Sequence, residues 1–253
     1  MCMHESRAMS FLGKIDSMNQ GASDQSDRKS KTARQSGIEE DSEAKPQRRL
    51  RGDRSAATRK KILDGAYQIL TELGHSGLRS NNISRAAGVS RGGMLHHYPT
   101  KEQLIAALYA RLMDQLEEAS WKIIDSTPDA DLIDGLIADG KQRFLGETYA
   151  AVLDILVASS EEELVAESLH KLASDDHVPA RTGWVKRFED AGVDPVTASK
   201  ITSLIWNAMK GLGIRHMVLR DEFHVDRVIE VAREIATDIC GDTLRNANTG
   251  RDR

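Results

Sequence analysis

The sequence predicts an all-α protein, on three observations. From residue 58 onward, apolar side chains recur at the 3.6-residue period of a helix. The breaks between periodic segments carry N-cap residues, glycines and prolines in the order that starts and stops helices. No segment alternates with a period of two for long enough to make a strand. At 253 residues the chain has room for one or two domains and a sizeable core. Aromatic residues are only 4% of it, so that core is built mainly from Leu, Ile, Val, Ala and Met.

Residues 1–53 show no sustained period. They are rich in Ser, Gln, Asp, Lys and Arg and bury too little surface to offset the entropy of ordering, which predicts a disordered tail. In the first helix Ile62, Ala66, Ile69, Leu70 and Leu73 form one stripe, with Thr58 as N-cap and Gly74 as the left-handed residue that ends it. A short helix follows from Ser80, its N-cap, to about Ala87, burying Ile83, Ala86 and Ala87. Gly88-Val89-Ser90 supplies a turn, an apolar anchor and a new N-cap. A third helix then runs from Arg91 to Tyr98 and stops at Pro99. Thr100-Lys-Glu-Gln103 is a capping box for a fourth helix ending near Ile124.

Thr127-Pro128 reads as N-cap and N1 proline of a helix to Phe144 or Leu145, and a mostly apolar segment covers Tyr149–Ala158. Helices over Glu161–Leu172 and Arg181–Asp190 are separated by a breaker ending in Pro179. Asp194-Pro195 opens a helix of some 25 residues to Arg220, and the last helix spans about Val225–Ile239.

Charge is distributed unevenly along the chain. The whole carries −4, yet residues 45–101 hold twelve basic and three acidic side chains, net +9, and residues 102–253 are net −11. Such asymmetry points to a polyanion-binding segment joined to an acidic portion with another task. No apolar run approaches the roughly 18 residues that span a bilayer, and no apolar stretch with a small-residue cleavage site marks a secretory signal. Cys2 and Cys240 make no disulfide framework, and the histidines at 170, 177, 216 and 224 lack paired metal-ligand spacing.

Residues 80–98 have the helix–turn–helix layout, in which the second helix enters the major groove with its N-terminal residues on base edges. Those residues are Arg91, Gly92 and Gly93. Arginine suits guanine O6 and N7, and paired glycines at a helix start suit close approach of the backbone to DNA. Ser80, Asn81, Asn82, Ser90, His96, His97, Tyr98 and Lys101 complete the candidate DNA contacts, with helix N-termini at Ser80, Ser90 and Thr100 offering N–H groups to phosphates. The spacing of Lys101 from Ser90 favours a phosphate contact over a merely solvated helix-start charge, and the run Arg48–Arg54 is either a solubilising tail or a further phosphate contact.

The run from Ile83 to Leu104, Ile-Ser-Arg-Ala-Ala-Gly-Val-Ser-Arg-Gly-Gly-Met-Leu-His-His-Tyr-Pro-Thr-Lys-Glu-Gln-Leu, resembles the signature of the tetracycline-repressor (TetR) family of bacterial regulators. The resemblance covers about Thr58 to Leu108. It implies a DNA-binding domain over 54–101, a helical effector-binding and dimerisation domain over 102–241, and a tail over 242–253. Ser90, Gly92, His96, Tyr98 and Lys101 fit the family pattern. Leu95 departs from it, because the family often has a phosphate-reaching tyrosine there, leaving His96 or His97 to take over that contact.

The resemblance further implies a cytoplasmic homodimer, paired through 194–220 and 225–239, that binds a pseudo-palindromic double-stranded operator. A small-molecule effector of unknown identity releases it, and neither a cofactor nor a metal is expected. Trp121, Phe144, Tyr149, Trp184, Trp206, Met209 and His216 are candidates to line the effector cavity or to be plain core. A tilt of the Thr100–Ile124 helix is the expected coupling route, with the cavity near Trp121. A helical adaptor whose basic segment binds an acidic partner is the alternative, and an activator or nucleoid protein without an effector is a third reading. Enzyme readings fail: Gly211-Leu-Gly213 lacks the third glycine of a dinucleotide fingerprint, and GxSxG, HExxH and Walker motifs are missing.

Overall fold

The computed structural model describes residues 44–159, 178–219 and 222–251. The chain divides into two units, 1–48 and 49–253. The first is described only over 44–48, as helix, and the apolar cores and the candidate site belong to the second. All regular structure among the described residues is helical: α1 (Ala44–Leu73), a 3₁₀ turn (His75–Gly77), α2 (Ser80–Ala86), α3 (Arg91–His97), α4 (Lys101–Ser126), a 3₁₀ turn (Asp129–Asp131), α5 (Leu132–Phe144), α6 (Glu147–Ser159), α7 (Pro179–Asp190), α8 (Pro195–Leu219) and α9 (Glu222–Arg251). No described helix is long and apolar enough to cross a membrane. Residues 1–43 of the expected tail, and the expected helix Glu161–Leu172 with His170 and His177, lie outside the described residues.

Several local signals act as the sequence predicts. The Ser90 hydroxyl accepts the Gly93 N–H at 3.0 Å and the Thr100 hydroxyl that of Gln103 at 3.2 Å. Asp194 accepts the N–H of Thr197 at 3.1 Å ahead of Pro195. Gly88 takes φ 64° between α2 and α3. There the Val89 N–H reaches back to the Ser84 carbonyl at 3.0 Å, a closure that a side chain at 88 would strain.

Other boundaries differ. α1 begins at Ala44, inside the segment expected to be a tail, and Thr58 does not cap it: its hydroxyl donates to the Arg54 carbonyl at 2.9 Å. Arg, Lys, Gln and Ala prevail over 44–57, and a helix already nucleated on Ile62, Ala66 and Ile69 propagates readily into such good helix formers. Ser80 is the first helical residue rather than the cap, which falls on extended Arg79. Thr127 closes α4, donating to the Ile123 carbonyl at 2.7 Å, because the following proline drives it extended. Pro179 opens α7 as its first residue. α9 continues to Arg251, since its buried stripe Val225, Ile229, Ala232, Ala236 runs on through Cys240 and Leu244.

Two apolar cores result. One collects Ile62, Ala66, Ile69 and Leu70 of α1, Leu78, Ile83 of α2, Met94 of α3, Leu104–Leu116 of α4, and Ala151, Val152 and Ile155 of α6. The other joins Ile124 at the end of α4 to α5, α7, α8 and α9. α4 therefore crosses from one core to the other. α6 reaches the first core as well, where Asp154 accepts the N–H of His75 in the turn between α1 and α2 at 2.9 Å.

Candidate functional site

α3 is a seven-residue helix with a sharp division of faces. Met94 is buried at 2% exposure and anchors it to the first core, while Arg91, Gly92, Leu95 and His96 point outward. Arg79 ahead of α2, Arg85 in α2 and Arg91 in α3 are all exposed, and their guanidinium groups make no hydrogen bond or ion pair with a described side chain. Exposed cations in a segment that is net +9 over residues 45–101 are an electrostatic footprint for phosphates.

The remaining predicted contacts fall into two groups. Asn81, Ser90 and Lys101 are exposed beside the same face. Asn82 is engaged internally, its amide donating to the Gly77 carbonyl at 3.0 Å and so holding the turn ahead of α2. Ser80 is half-buried at the start of α2. His97 is half-buried edge-on to His96, with ring centres 5.4 Å apart. Burial first, then His96 and Arg59, lower its pKa and so favour the neutral imidazole. Tyr98 is half-buried against the first core, and burial raises its hydroxyl pKa.

Gly92 and Gly93 differ in their surroundings. A Cβ at Gly93 would lie 3.1 Å from Ser90 Oγ, whereas one at Gly92 would meet nothing within 4 Å. Nothing among the described residues requires glycine at 92. Gly92→Ala is expected to hold or raise the thermal midpoint, by up to about 1 kcal/mol of helix propensity, and to weaken DNA binding. Melting curves beside gel-shift titrations check both signs. Undiminished DNA binding would mean that no duplex comes close to that backbone.

The second core holds a charged network that sequence reading missed. Arg143 of α5 is 2% exposed and donates to Glu117 Oε1 of α4 at 2.7 Å and to Ser120 Oγ at 3.0 Å. Its guanidinium stands 5.1 Å from the ring centre of Trp206 and 5.9 Å from that of Phe144. Glu117 Oε2 accepts the Ala180 N–H at the start of α7, at 2.9 Å. Fully buried Asp139 accepts Trp184 Nε1–H at 2.8 Å. A signal existed: Asp139 and Arg143 sit one turn apart on the stripe formed by Leu132, Leu136, Gly140 and Phe144.

The aromatic candidates belong to this core. Phe144 is packed edge-on to Tyr149 at 5.0 Å and to Trp206 at 5.5 Å, and Met209 covers Gly140. Trp121 lies against α7 at Gly183. Asp139 Oδ1 and Trp206 Nε1 find no hydrogen-bond partner among the described residues, although both are buried. Buried polar atoms of this kind cost about 1–3 kcal/mol each unless something answers them.

Burial raises the Asp139 carboxyl above the ordinary carboxylate range, against the opposing pull of Ser120, Trp184 and Arg143. A carboxyl that holds its proton more tightly when folded stabilises the fold at low pH, and that contribution is lost as pH rises through the raised pKa. Asp139→Asn, which keeps an acceptor for Trp184, is therefore expected to remove this loss of stability with rising pH. Chemical denaturation of both proteins across pH tests it, and parallel profiles would contradict it.

Among the described residues no group of three or more His, Cys, Asp or Glu is placed to hold a metal ion. The profile of bacterial regulatory proteins of the tetR family matches residues 62–108, which contain α2, the turn and α3. The HTH-type transcriptional regulator CymR of Pseudomonas putida is 30% identical over 194 residues, covering 75% of this chain and 96% of CymR. The HTH-type transcriptional repressor AcnR of Corynebacterium glutamicum is 39% identical over 57 residues, 22% of this chain and 30% of AcnR. A transcriptional regulator from Rhodococcus sp. Rha1 has a similar fold, with TM-score 0.58 and 18% identity over 71% of this chain and 96% of its own. A TetR-family regulator from Mesorhizobium loti gives TM-score 0.57 and 16% identity over 74% of this chain and 98% of its own. With a helix–turn–helix on a helical body and a likeness that spans nearly all of CymR, the chain belongs to the TetR family of bacterial transcription regulators.

Proposed function

We propose that the chain is a homodimeric, effector-released repressor reading a pseudo-palindromic operator with α3. The outward face Arg91, Gly92, Leu95, His96, in a segment that carries net +9, is the observation that carries this reading. The name of AcnR, a repressor, favours repression over activation. Arg91 is the base-reading residue, Lys101 and Ser90 are phosphate contacts, and residues 54–101 are the DNA-binding domain. The adaptor alternative leaves the glycine at 92 and the exposed arginine at 91 without a use.

Dimerisation is assigned to α8 and α9. Besides the stripes they bury internally, they expose Val196, Leu204, Ile214 and Val218 on one helix and Val231, Ile235 and Ile239 on the other. A surface groove of about 500 Å³ runs along α8 between Lys200 and Asn207. An apolar face of this extent on two adjacent helices fits a self-complementary four-helix interface. The effector is assigned to the second core, at Arg143, Trp206, Phe144 and Tyr149, where Asp139 Oδ1 and Trp206 Nε1 await partners. α4 and α6 both run from that domain into the first core, so a ligand that shifts either one moves α3 relative to its mate. Emptying the operator takes a differential affinity of a few kcal/mol between the two states.

The test is footprinting, with selection of binding sites from random duplexes by wild type and by Arg91→Ala. Wild type is expected to protect two half-sites about 34–36 Å apart. Arg91→Ala is expected to relax preference at one base per half-site and to cost about 1–3 kcal/mol. A uniform loss over all sequences would make Arg91 a phosphate contact, and a single protected site would count against the dimer.

A further inference from the structure

We infer that Leu95 reads the C5-methyl group of a thymine, within about two base pairs of the base contacted by Arg91. Two leucine-sized side chains sit next to each other in α3 and are treated oppositely by the fold. Met94 is sunk into the first core, while Leu95, bordering a crevice with Leu78, Ile83 and Lys101, keeps 37% of its surface exposed beside Arg91, Gly92 and His96. Exposure of an isolated leucine on a protein surface is ordinary. Here the leucine occupies the one surface that the fold dedicates to base edges, and its chemistry narrows what it can meet there.

An isobutyl group neither donates nor accepts a hydrogen bond. Against guanine O6, adenine N6 or cytosine N4 it would strip water from a polar edge and return nothing. Thymine alone presents an apolar group, its C5-methyl, on the floor of the major groove. Spacing fits as well. Leu95 follows Arg91 by four residues, a rise of about 6 Å along the helix, and base pairs are stacked about 3.4 Å apart. Gly92, with nothing near its missing side chain, lets this face sit close to the groove floor. The phosphate contact that a tyrosine would make at 95 is thus exchanged for a base-specific apolar one.

This inference rests on the reading of α3 as the recognition helix, and the test separates the two. The full-length protein first selects its operator from a random-sequence duplex library. Each thymine of that operator is then replaced singly by deoxyuridine, which pairs identically and lacks only the methyl group. Wild type is expected to lose about fourfold in affinity at one thymine per half-site, the worth of one buried methyl group, and little elsewhere. Leu95→Ala, whose site is exposed, is expected to keep its thermal midpoint and to bind thymine and uracil operators equally at that position. A flat deoxyuridine scan with wild type overturns the inference without any variant, and so does a methyl preference that survives in Leu95→Ala. If Arg91→Ala selects an unchanged sequence, the recognition-helix reading itself has failed; if Arg91→Ala alters the sequence while the scan is flat, only the role of Leu95 has.

Discussion

Glu117→Ala is expected to destabilise the protein by about 3–5 kcal/mol, the usual consequence of leaving a buried charge without its partner. Glu117 serves two elements at once: one oxygen takes Arg143 at 2.7 Å and the other takes the Ala180 N–H that opens α7. The arginine side chain is 3% exposed and the glutamate 18%, so water cannot replace what is removed. Ser120 and the faces of Trp206 and Phe144 would remain around the guanidinium without charge, and the nearby Asp139 carboxyl is held toward its neutral form by burial. Replacing both charges together, as Glu117→Gln with Arg143→Met, should cost much less than the two single changes added, because no uncompensated ion is left. Urea denaturation of the two single variants and the double variant reads this directly. A loss below about 1 kcal/mol for Glu117→Ala would place the pair in solvent and remove the reason to look for the effector beside it.

Gly213→Ala is expected to cost about 3 kcal/mol, at the upper end for overpacking. A Cβ there would overlap the carbonyl oxygen of Phe144 and approach Tyr149 at 3.5 Å. Backbone cannot swing aside as a side chain can, so α8 would have to lift off the end of α5. Gly211→Ala is the internal control: nothing lies within 4 Å of that position, and alanine should stabilise α8 by up to about 1 kcal/mol. Thermal or chemical denaturation of the pair should give opposite signs. Equal effects would mean that α5 and α8 are not in close contact at Phe144. The Gly211-Leu-Gly213 pair, unfit for a phosphate loop, thus has one glycine with a packing task.

The reading head was legible in the sequence because its determinants are local. Ser90, Thr100 and Asp194 each cap a helix through an N–H three residues on, and Gly88 turns the chain through its own φ. Local signals misled where one residue fits two neighbouring helices. Thr127 has both the side chain of an N-cap and the position of a helix end. Thr58 misled for a related reason: a threonine hydroxyl can cap an N–H ahead or, as here inside α1, donate to the carbonyl four residues back.

By itself, then, the sequence determined the all-α class and the helix–turn–helix, both of which arise from period, caps and turn residues a few positions apart. Tertiary structure alone decided which buried charges find one another. Glu117 and Arg143 are 26 residues apart, Trp184 and Asp139 are 45, and His75 and Asp154 are 79. A charge on an apolar stripe can equally be a solvated interruption or half of a buried pair. Only the approach of a second helix, which removes water and supplies the counter-charge or N–H in one step, makes it the latter.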